Sequence, residues 1–340
     1  MLIAEFDYEL APGAIAQTPI EPRDSARLLI DRGPDAPPEH GRVTDLVDEL
    51  REGDVLVVND TRVLAARLRL RKPTGGAAEV LLLEPVGDGT WQALVRPGRR
   101  LAPGTVLSSE DGSVEVVVGE RIDGGRCLVS IGMGGFAIDD VFSAVALDGV
   151  GDTPLPPYIT THLDDPGRYQ TVFADRPGSV AAPTAGLHLT DELLDVLRAK
   201  GVEVHRVELV VGLDTFRPVM VDDLDDHVMH TEAYHVRAET LEACRVATRV
   251  VAVGTTTVRA LESAATRASP TGRTDLFIQR GYEWKVVDVL LTNFHMPKST
   301  LLVMIDAFVG KRWRDLYTTA LDEGYRFLSF GDAMLLTRQS

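Results

Sequence analysis

The second half of the chain repeats one pattern three times: a short apolar run, a polar loop and a helix-forming stretch. The apolar runs lie at 180–182, 250–253 and 286–291. A short apolar run bounded by turn residues is typical of a buried strand. Strands that alternate with helices in this way form an α/β domain with a largely parallel sheet. The pattern starts at about residue 153 and is the strongest constraint on the fold.

Residues 61–152 follow a different pattern, without a helical segment before about residue 138. Six short apolar or alternating runs recur at 67–71, 79–83, 91–95, 105–108, 114–118 and 127–131. Glycine, proline or aspartate separates them, which is typical of a small barrel or sandwich. We predict an α/β domain formed by 1–60 and 153–340, with 61–152 inserted as an all-β domain. The active site is expected in 153–340, the second part of the α/β domain.

The chain carries 35 Lys and Arg against 51 Asp and Glu, a formal net charge of −16 over 340 residues. This acidity excludes a protein that binds nucleic acid through overall positive charge. Residues 61–110 are an exception, with eight basic and four acidic side chains. Such a local excess can bind RNA, but arginines along strands are equally common on a solvent-facing surface.

Two observations bear on location. Cys127 and Cys244 are the only cysteines and lie far apart, which favours a reducing compartment over a disulfide framework. The first residues lack the basic stretch of a signal peptide, and no apolar run has the length of a membrane span. We predict a cytoplasmic protein that does not associate with membranes.

The polar loops after the predicted strands are the candidate ligand site, because α/β sheets bind ligands beyond the carboxyl ends of their strands. These loops contain His188, the threonine turn 254–257, and the segment 293–300 with His295 and Lys298. Backbone N–H groups and hydroxyls at a helix start suit a carboxylate, a phosphate or a hydroxyl-rich ligand. Simple helix capping by threonine explains the same residues equally well.

A metal site is the alternative raised by the histidines and carboxylates near residue 230, namely Asp225, Asp226, His227, His230, Glu232 and His235. His227 and His230, three residues apart, would share one face of a helix. An established metal spacing such as HExxH is missing, and the acidic run 222–226 is typical of a solvated turn. We therefore predict no metal.

Twelve segments, in order, resemble one known family. They include VVNDTRVLAARL (57–68), GSVAAPTAGLHLT (178–190), VAVGTTTVRALES (251–263) and NFHMPKSTLL (293–302), and they run from FDYEL (6–10) to YRFLSFGDAML (325–335). On these motifs the chain resembles the S-adenosylmethionine:tRNA ribosyltransferase-isomerases of queuosine biosynthesis. The resemblance implies an α/β domain with an inserted six-stranded β-barrel.

The resemblance also implies an activity. S-adenosylmethionine is the co-substrate, and its ribosyl group is transferred and isomerised onto 7-aminomethyl-7-deazaguanine at the tRNA wobble position. The products are epoxyqueuosine-tRNA, methionine and adenine. A base must take the C5′ proton beside the sulfonium, the substrate amine must be neutral, and adenine must leave with a proton. Groups that titrate near neutrality suit these tasks, so His188, His230 and His295 are the candidate catalytic residues.

The remaining candidates are binding residues. For S-adenosylmethionine they are Gly186, Thr190, Thr255, Thr256, Arg259, Asn293, Lys298, Ser299 and Thr300, and for tRNA they are Arg62, Arg96, Arg99 and Arg100. The partner is a tRNA that carries 7-aminomethyl-7-deazaguanine. The oligomeric state is left open, and a monomer is compatible with the sequence.

Two departures from the family pattern leave alternatives open. LVVGLDTF (209–216) stands where the family usually has LHVGAGTF, so that Val210 and Leu213-Asp214 are unusual at a strand end. Gln279-Arg280 stands where the family tends to have Tyr-Pro. The alternatives are a divergent member that acts on another base or RNA, and a non-catalytic RNA-binding module.

Overall fold

A computed structural model describes residues 1–98, 101–122, 125–212 and 218–339. These residues form two compact units. The first contains 1–60, 156–174 and the chain from Ala182 onward, and the second contains 61–155 and 175–181. The predicted tRNA contacts Arg99 and Arg100 and the unusual pair Leu213-Asp214 lie outside the described residues.

The regular elements are numbered in chain order. The strands are β1 (Arg27–Ile30), β2 (Glu39–Arg42), β3 (Asp54–Asn59), β4 (Thr61–Val63), β5 (Arg67–Arg71), β6 (Ala77–Gly87), β7 (Thr90–Arg96), β8 (Val106–Ser108), β9 (Val114–Arg121), β10 (Arg126–Met133), β11 (Phe136–Ala137), β12 (Arg176–Ser179), β13 (Glu203–Leu209), β14 (Glu232–Val236), β15 (Arg249–Val253), β16 (Thr271–Thr274), β17 (Val289–Asn293) and β18 (Ala333–Thr337). The helices are α1 (Leu46–Glu49), α2 (Asp191–Ala199), α3 (Ala238–Val246), α4 (Thr255–Arg267), α5 (Thr300–Val309) and α6 (Trp313–Asp322). In the described chain, no helix combines the length and the apolar character needed to cross a membrane.

The first unit is built on a nine-stranded sheet in the order β16-β14-β13-β3-β15-β17-β18-β1-β2. Its middle strands β13, β3, β15 and β17 are parallel neighbours, and antiparallel pairs flank them on both sides. All six residues of β3 are buried, as expected for a strand covered on both faces. The carboxyl ends of four parallel strands therefore meet at one edge of the sheet.

Helix α2 shows why the predicted elements form. The Thr190 hydroxyl caps the helix by accepting a hydrogen bond from the Leu193 N–H (3.1 Å). Its apolar stripe, Leu193, Leu194 and Leu197, is buried in the core against the sheet. The predicted strand at 180–182 is wrong, because the strand is β12 and it pairs in parallel with β4 in the second unit.

The second unit is a closed barrel. Strands β10, β7, β6, β5, β8 and β9 pair in this order, and β9 pairs again with β10 to close the ring, with β11 attached to β10. Side chains alternate between inside and outside, and Trp91 is fully buried with its indole N–H donating to the Ile138 carbonyl (2.8 Å). The predicted fold class, an α/β domain with an inserted six-stranded β-barrel, is confirmed. The predicted domain limits stay a prediction, and 175–181 lies in the second unit rather than with the α/β part.

Candidate functional site

The end of β3 is fixed by Asn59, which is almost completely buried. Its side-chain amide donates to the Leu209 carbonyl (3.0 Å) and to the Thr256 hydroxyl (3.3 Å), and its oxygen accepts from the Leu209 N–H (3.1 Å). These bonds join the ends of β3 and β13 to the start of α4. Sequence reasoning missed this role, although a polar residue directly after the apolar run 55–58 was the available signal.

The threonine turn connects β15 to α4 without an intervening loop. Gly254 adopts a φ of +86°, a conformation that favours glycine, so the chain can reverse there. Thr255 and Thr256 then occupy the first helical positions, whose N–H groups have no partner within a helix. The Thr257 hydroxyl instead donates back to the Val253 carbonyl (2.7 Å). Only the first two threonines can therefore offer their hydroxyls to a ligand.

Asn293, the last residue of β17, lies at the centre of a hydrogen-bond chain. The Thr184 hydroxyl donates to its side-chain oxygen (3.0 Å), and its amide donates to His188 Nε2 (3.1 Å). Because an amide nitrogen can only donate, His188 Nε2 accepts this bond, and the proton of the neutral ring is on Nδ1. The chain holds the Asn293 amide in one orientation.

His295 follows β17 and is also fixed. Its Nε2 lies 3.0 Å from the Thr292 hydroxyl, and its backbone N–H donates to the Tyr317 hydroxyl (2.9 Å). Burial lowers the pKa of His295 to about 3 and that of His188 to about 4. Both imidazoles are therefore neutral at physiological pH, and do not titrate near neutrality as the sequence analysis expected.

These strand ends enclose a cavity of about 60 Å³, here called the strand-end cavity. It is lined by Tyr158, 182–185, Val211, 254–256, 292–296, Ser299, Leu301, Leu328 and Ser329. The structure thus brings together five of the predicted residues: Thr255, Thr256, Asn293, His295 and Ser299. Tyr158 and Ser329, whose hydroxyls are 2.7 Å apart, were not predicted, although Ser329 lies in the segment YRFLSFGDAML (325–335) quoted above.

Four predicted residues serve the surroundings of the cavity. His188 does not line the cavity but accepts a hydrogen bond from Asn293, and Thr190 caps α2. Gly186 is a packing position, because a Cβ there would lie 2.7 Å from the Phe173 ring. Lys298 forms an ion pair with Asp7 (2.8 Å), a structural reason for its presence that the sequence analysis did not find.

The last three predicted catalytic or S-adenosylmethionine-binding residues line a second cavity of about 340 Å³; they are His230, Arg259 and Thr300. The Arg259 guanidinium forms a buried ion pair with Glu232 and donates to the carbonyls of Thr274 and Leu276 (3.3 Å each). His230 is exposed. The structure therefore does not bring His230 into one cavity with His295.

The predicted helix face shared by His227 and His230 is wrong. The short 3₁₀-helix Leu224–Asp226 ends before His227, and residues 227–230 are not helical. Within 1–98, 101–122, 125–212 and 218–339, no group of three or more His, Cys, Asp or Glu residues could hold a metal ion.

The barrel arginines are less free than their sequence count indicates. Arg62 forms an ion pair with Asp148, and Arg69 forms one with Asp152 (2.6 Å). Both aspartates lie beyond residue 110, so the count over 61–110 left them out. Of the two candidates that the structure describes, Arg96 has the more exposed side chain, 84% against 33% for Arg62, and its contact with Glu79 measures 4.0 Å.

Of the residues that depart from the family pattern, Val210 makes a backbone bond that does not depend on its side chain, whereas Arg280 uses its side chain. The N–H of Val210 donates to the Ala233 carbonyl (3.0 Å) and extends the pairing of β13 with β14. Arg280 forms a two-pronged contact with the buried carboxylate of Asp306 (3.0 and 3.1 Å). Arg280 therefore balances the charge of Asp306 next to the start of α6.

Comparison with known proteins decides the family. A family model described as "Queuosine biosynthesis protein" matches residues 3–336. The chain belongs to this family. The resemblance stated from the motifs is thereby confirmed, and the match extends over both units.

Members of the family are similar to the chain over nearly its whole length. A protein of Moorella thermoacetica named S-adenosylmethionine:tRNA ribosyltransferase-isomerase is 49% identical over 99% of this chain and 100% of its own. One of Synechococcus sp. (strain WH7803) with the same name is 48% identical over 98% and 94%. The crystal structure of an S-adenosylmethionine tRNA ribosyltransferase from Thermotoga maritima covers 97% of the chain, at 36% identity and a TM-score of 0.55.

Proposed function

We propose that this chain is an S-adenosylmethionine-dependent tRNA ribosyltransferase-isomerase. It transfers and isomerises the ribosyl group of S-adenosylmethionine onto 7-aminomethyl-7-deazaguanine at the wobble position of tRNA, and epoxyqueuosine-tRNA, methionine and adenine are the products. The observation that carries the proposal is the strand-end cavity, where hydroxyls, an oriented amide and a neutral imidazole meet at the ends of four parallel strands. The names of relatives at 48–49% identity support it.

His295 is the proposed general base. It lines the strand-end cavity, and burial keeps its ring unprotonated at physiological pH. The unprotonated ring can accept the C5′ proton, but with a pKa of about 3 it is a weak base, so its contribution depends on the acidity that the sulfonium gives this proton; one positioned base typically contributes about 10²–10⁴-fold to the rate. The Thr292 hydroxyl next to Nε2 holds the ring in place.

His188 has a different proposed role. It does not line the cavity but accepts a hydrogen bond from Asn293, which does. His188 is therefore a positioning residue that aims the Asn293 amide at the ligand. His230 stays a candidate for proton transfer only if the substrate reaches from the strand-end cavity into the second cavity.

The proposed binding groups are those at the helix starts. The N–H groups and hydroxyls of Thr255 and Thr256 suit the methionine carboxylate or the ribose hydroxyls. Ser299 is used in capping α5, since its hydroxyl accepts from the Leu302 N–H (3.2 Å). Arg62, Arg96, Arg99 and Arg100 are the proposed tRNA contacts. We further propose that the protein works in the cytoplasm and without a metal.

The test is release of adenine from S-adenosylmethionine with two matched tRNAs. One carries 7-aminomethyl-7-deazaguanine at the wobble position, and the other carries guanine there. The proposal expects stoichiometric adenine and methionine with the first tRNA only. Adenine release with a different base or RNA would instead support a divergent member, and tRNA binding without affinity for S-adenosylmethionine would support a binding module.

A further inference from the structure

The second cavity is much larger than the strand-end cavity, about 340 Å³ against about 60 Å³. Sites for small molecules usually measure about 300–1,000 Å³. The strand-end cavity can therefore hold the reacting centre of a nucleoside-sized substrate but not all of it. The rest of the substrate needs space elsewhere.

The second cavity is placed to supply that space. Leu301 lines both cavities, so they adjoin at the first turn of α5. Of the two residues that directly precede Leu301, Ser299 lines the strand-end cavity and Thr300 lines the second cavity. A ligand that extends past this turn would occupy both.

The lining of the second cavity favours an uncharged group. Nine of its fourteen lining residues are apolar. Its two charged side chains, Arg259 and Glu232, pair with each other while buried. Taking a further charge out of water beside a pair that is already balanced would cost free energy. A neutral ligand group is therefore preferred over the methionine end of the co-substrate.

The lining also favours a flat aromatic group. The rings of Phe277 and His227 meet edge to face, with centroids 5.3 Å apart and planes at 66°. The thioethers of Met229 and Met304 line the same space. Aromatic faces and polarisable sulfur atoms are the usual neighbours of a stacked base.

We propose that the second cavity binds a planar purine-type base during the reaction. Two bases take part: the adenine of S-adenosylmethionine and the deazaguanine of the tRNA. Both have the shape and the neutral aromatic character that the lining fits. This inference rests on the proposed function and adds a base-binding site to it.

The variant Phe277→Ala tests the proposal, with Val228→Ala as a matched control. Val228 lies between His227 and Met229 in the sequence but is 81% exposed and does not line the cavity. Loss of one aromatic stacking partner should raise the KM of one substrate about tenfold, with kcat nearly unchanged. A raised KM for S-adenosylmethionine assigns the site to adenine, and a raised KM for tRNA assigns it to the deazaguanine.

Calorimetry with free adenine and free 7-aminomethyl-7-deazaguanine keeps the two proposals distinguishable. If the wild type binds a base but releases no adenine from S-adenosylmethionine, the proposed function fails and the site stands. Met229→Ala and Phe277→Leu replace Phe277→Ala if that variant does not fold. The base site is overturned if the wild type is active and the folded cavity variants keep its KM for both substrates and its affinity for the free bases.

Discussion

His188 and Asn293 form a hydrogen-bonded pair at the end of β17. The Asn293 amide donates to His188 Nε2 over 3.1 Å, and only Asn293 lines the strand-end cavity. Because the amide nitrogen can only donate, Nε2 is the acceptor and the proton of the neutral His188 ring is on Nδ1. A catalytic imidazole would have to face the cavity, as His295 does.

We predict that His188→Ala lowers kcat strongly, whereas His188→Gln recovers much of the lost activity. The glutamine carbonyl can accept the Asn293 hydrogen bond, whereas alanine leaves the buried Asn293 amide only its longer contact with the Asp332 carbonyl (3.4 Å), at a cost of about 1–3 kcal/mol in stability. Steady-state kinetics and urea unfolding on both variants provide the measurement. Equal loss of activity in the two variants, both folded, would contradict a positioning role.

Burial of the two histidines should also make stability depend on pH. In the unfolded chain these imidazoles become protonated below their ordinary pKa of 6.5. In the folded protein the pKa is about 4 for His188 and about 3 for His295, so protonation there needs a lower pH. The unfolded state therefore binds more protons in this window. Stability is complete above the ordinary pKa and falls as the pH is lowered, by about 1.4 kcal/mol per pH unit for each histidine.

Comparison of His295→Gln with the wild type isolates one such contribution. The difference in unfolding free energy between neutral and mildly acidic pH should be smaller in the variant. His205→Gln is the matched control, because His205 lies on β13, is partly exposed and contacts Glu203. If both variants keep the pH dependence of the wild type, His295 is not buried in its neutral form.

The Arg259–Glu232 pair should behave as a structural unit. Removal of one partner leaves a buried charge without its counter-charge, at a cost of about 3–5 kcal/mol. We predict that Arg259→Met and Glu232→Gln are each destabilising. The double variant should lose less unfolding free energy than the sum of the two single losses. Urea unfolding of the four proteins measures the coupling. Additive losses would argue that Arg259 is held for ligand binding instead.

The predictions from sequence succeeded where local chemistry determines the structure. The apolar runs at 250–253 and 286–291 identified β15 and β17. The six short, evenly spaced runs over 61–152 predicted an inserted all-β domain, and the family resemblance specified a six-stranded barrel. The short apolar run at 180–182 failed, since only the tertiary pairing of β12 with β4 shows where that strand lies.

The candidate site was predicted in part for the same reason. Residues at the end of a strand or just after it, such as Asn293 and His295, could be placed at the sheet edge. The ion-pair partners of long side chains could not be predicted, because Lys298 pairs with Asp7 and Arg259 pairs with Glu232, which are far away in the sequence. The lowered pKa of His188 and His295 likewise results from burial, which spacing does not reveal.

The barrel arginines should contribute electrostatically to tRNA binding. We predict that Arg96→Ala combined with Arg99→Ala weakens tRNA binding and reduces the slope of log Kd against log salt by about 1.5–2. The control is Arg69→Ala with Arg71→Ala, because both side chains already pair with acidic residues. Binding assays over a range of salt concentrations decide. An unchanged slope in the first variant would place the tRNA contacts elsewhere.

The most direct test uses S-adenosylmethionine labelled in its ribose. With tRNA carrying 7-aminomethyl-7-deazaguanine, the wild type should transfer the label to the tRNA and release unlabelled adenine. His295→Ala should bind both substrates but transfer label about 10²–10⁴-fold more slowly, while His205→Ala stays close to the wild type. Label that remains in S-adenosylmethionine with the folded wild type, or equal transfer by His295→Ala, would contradict the account.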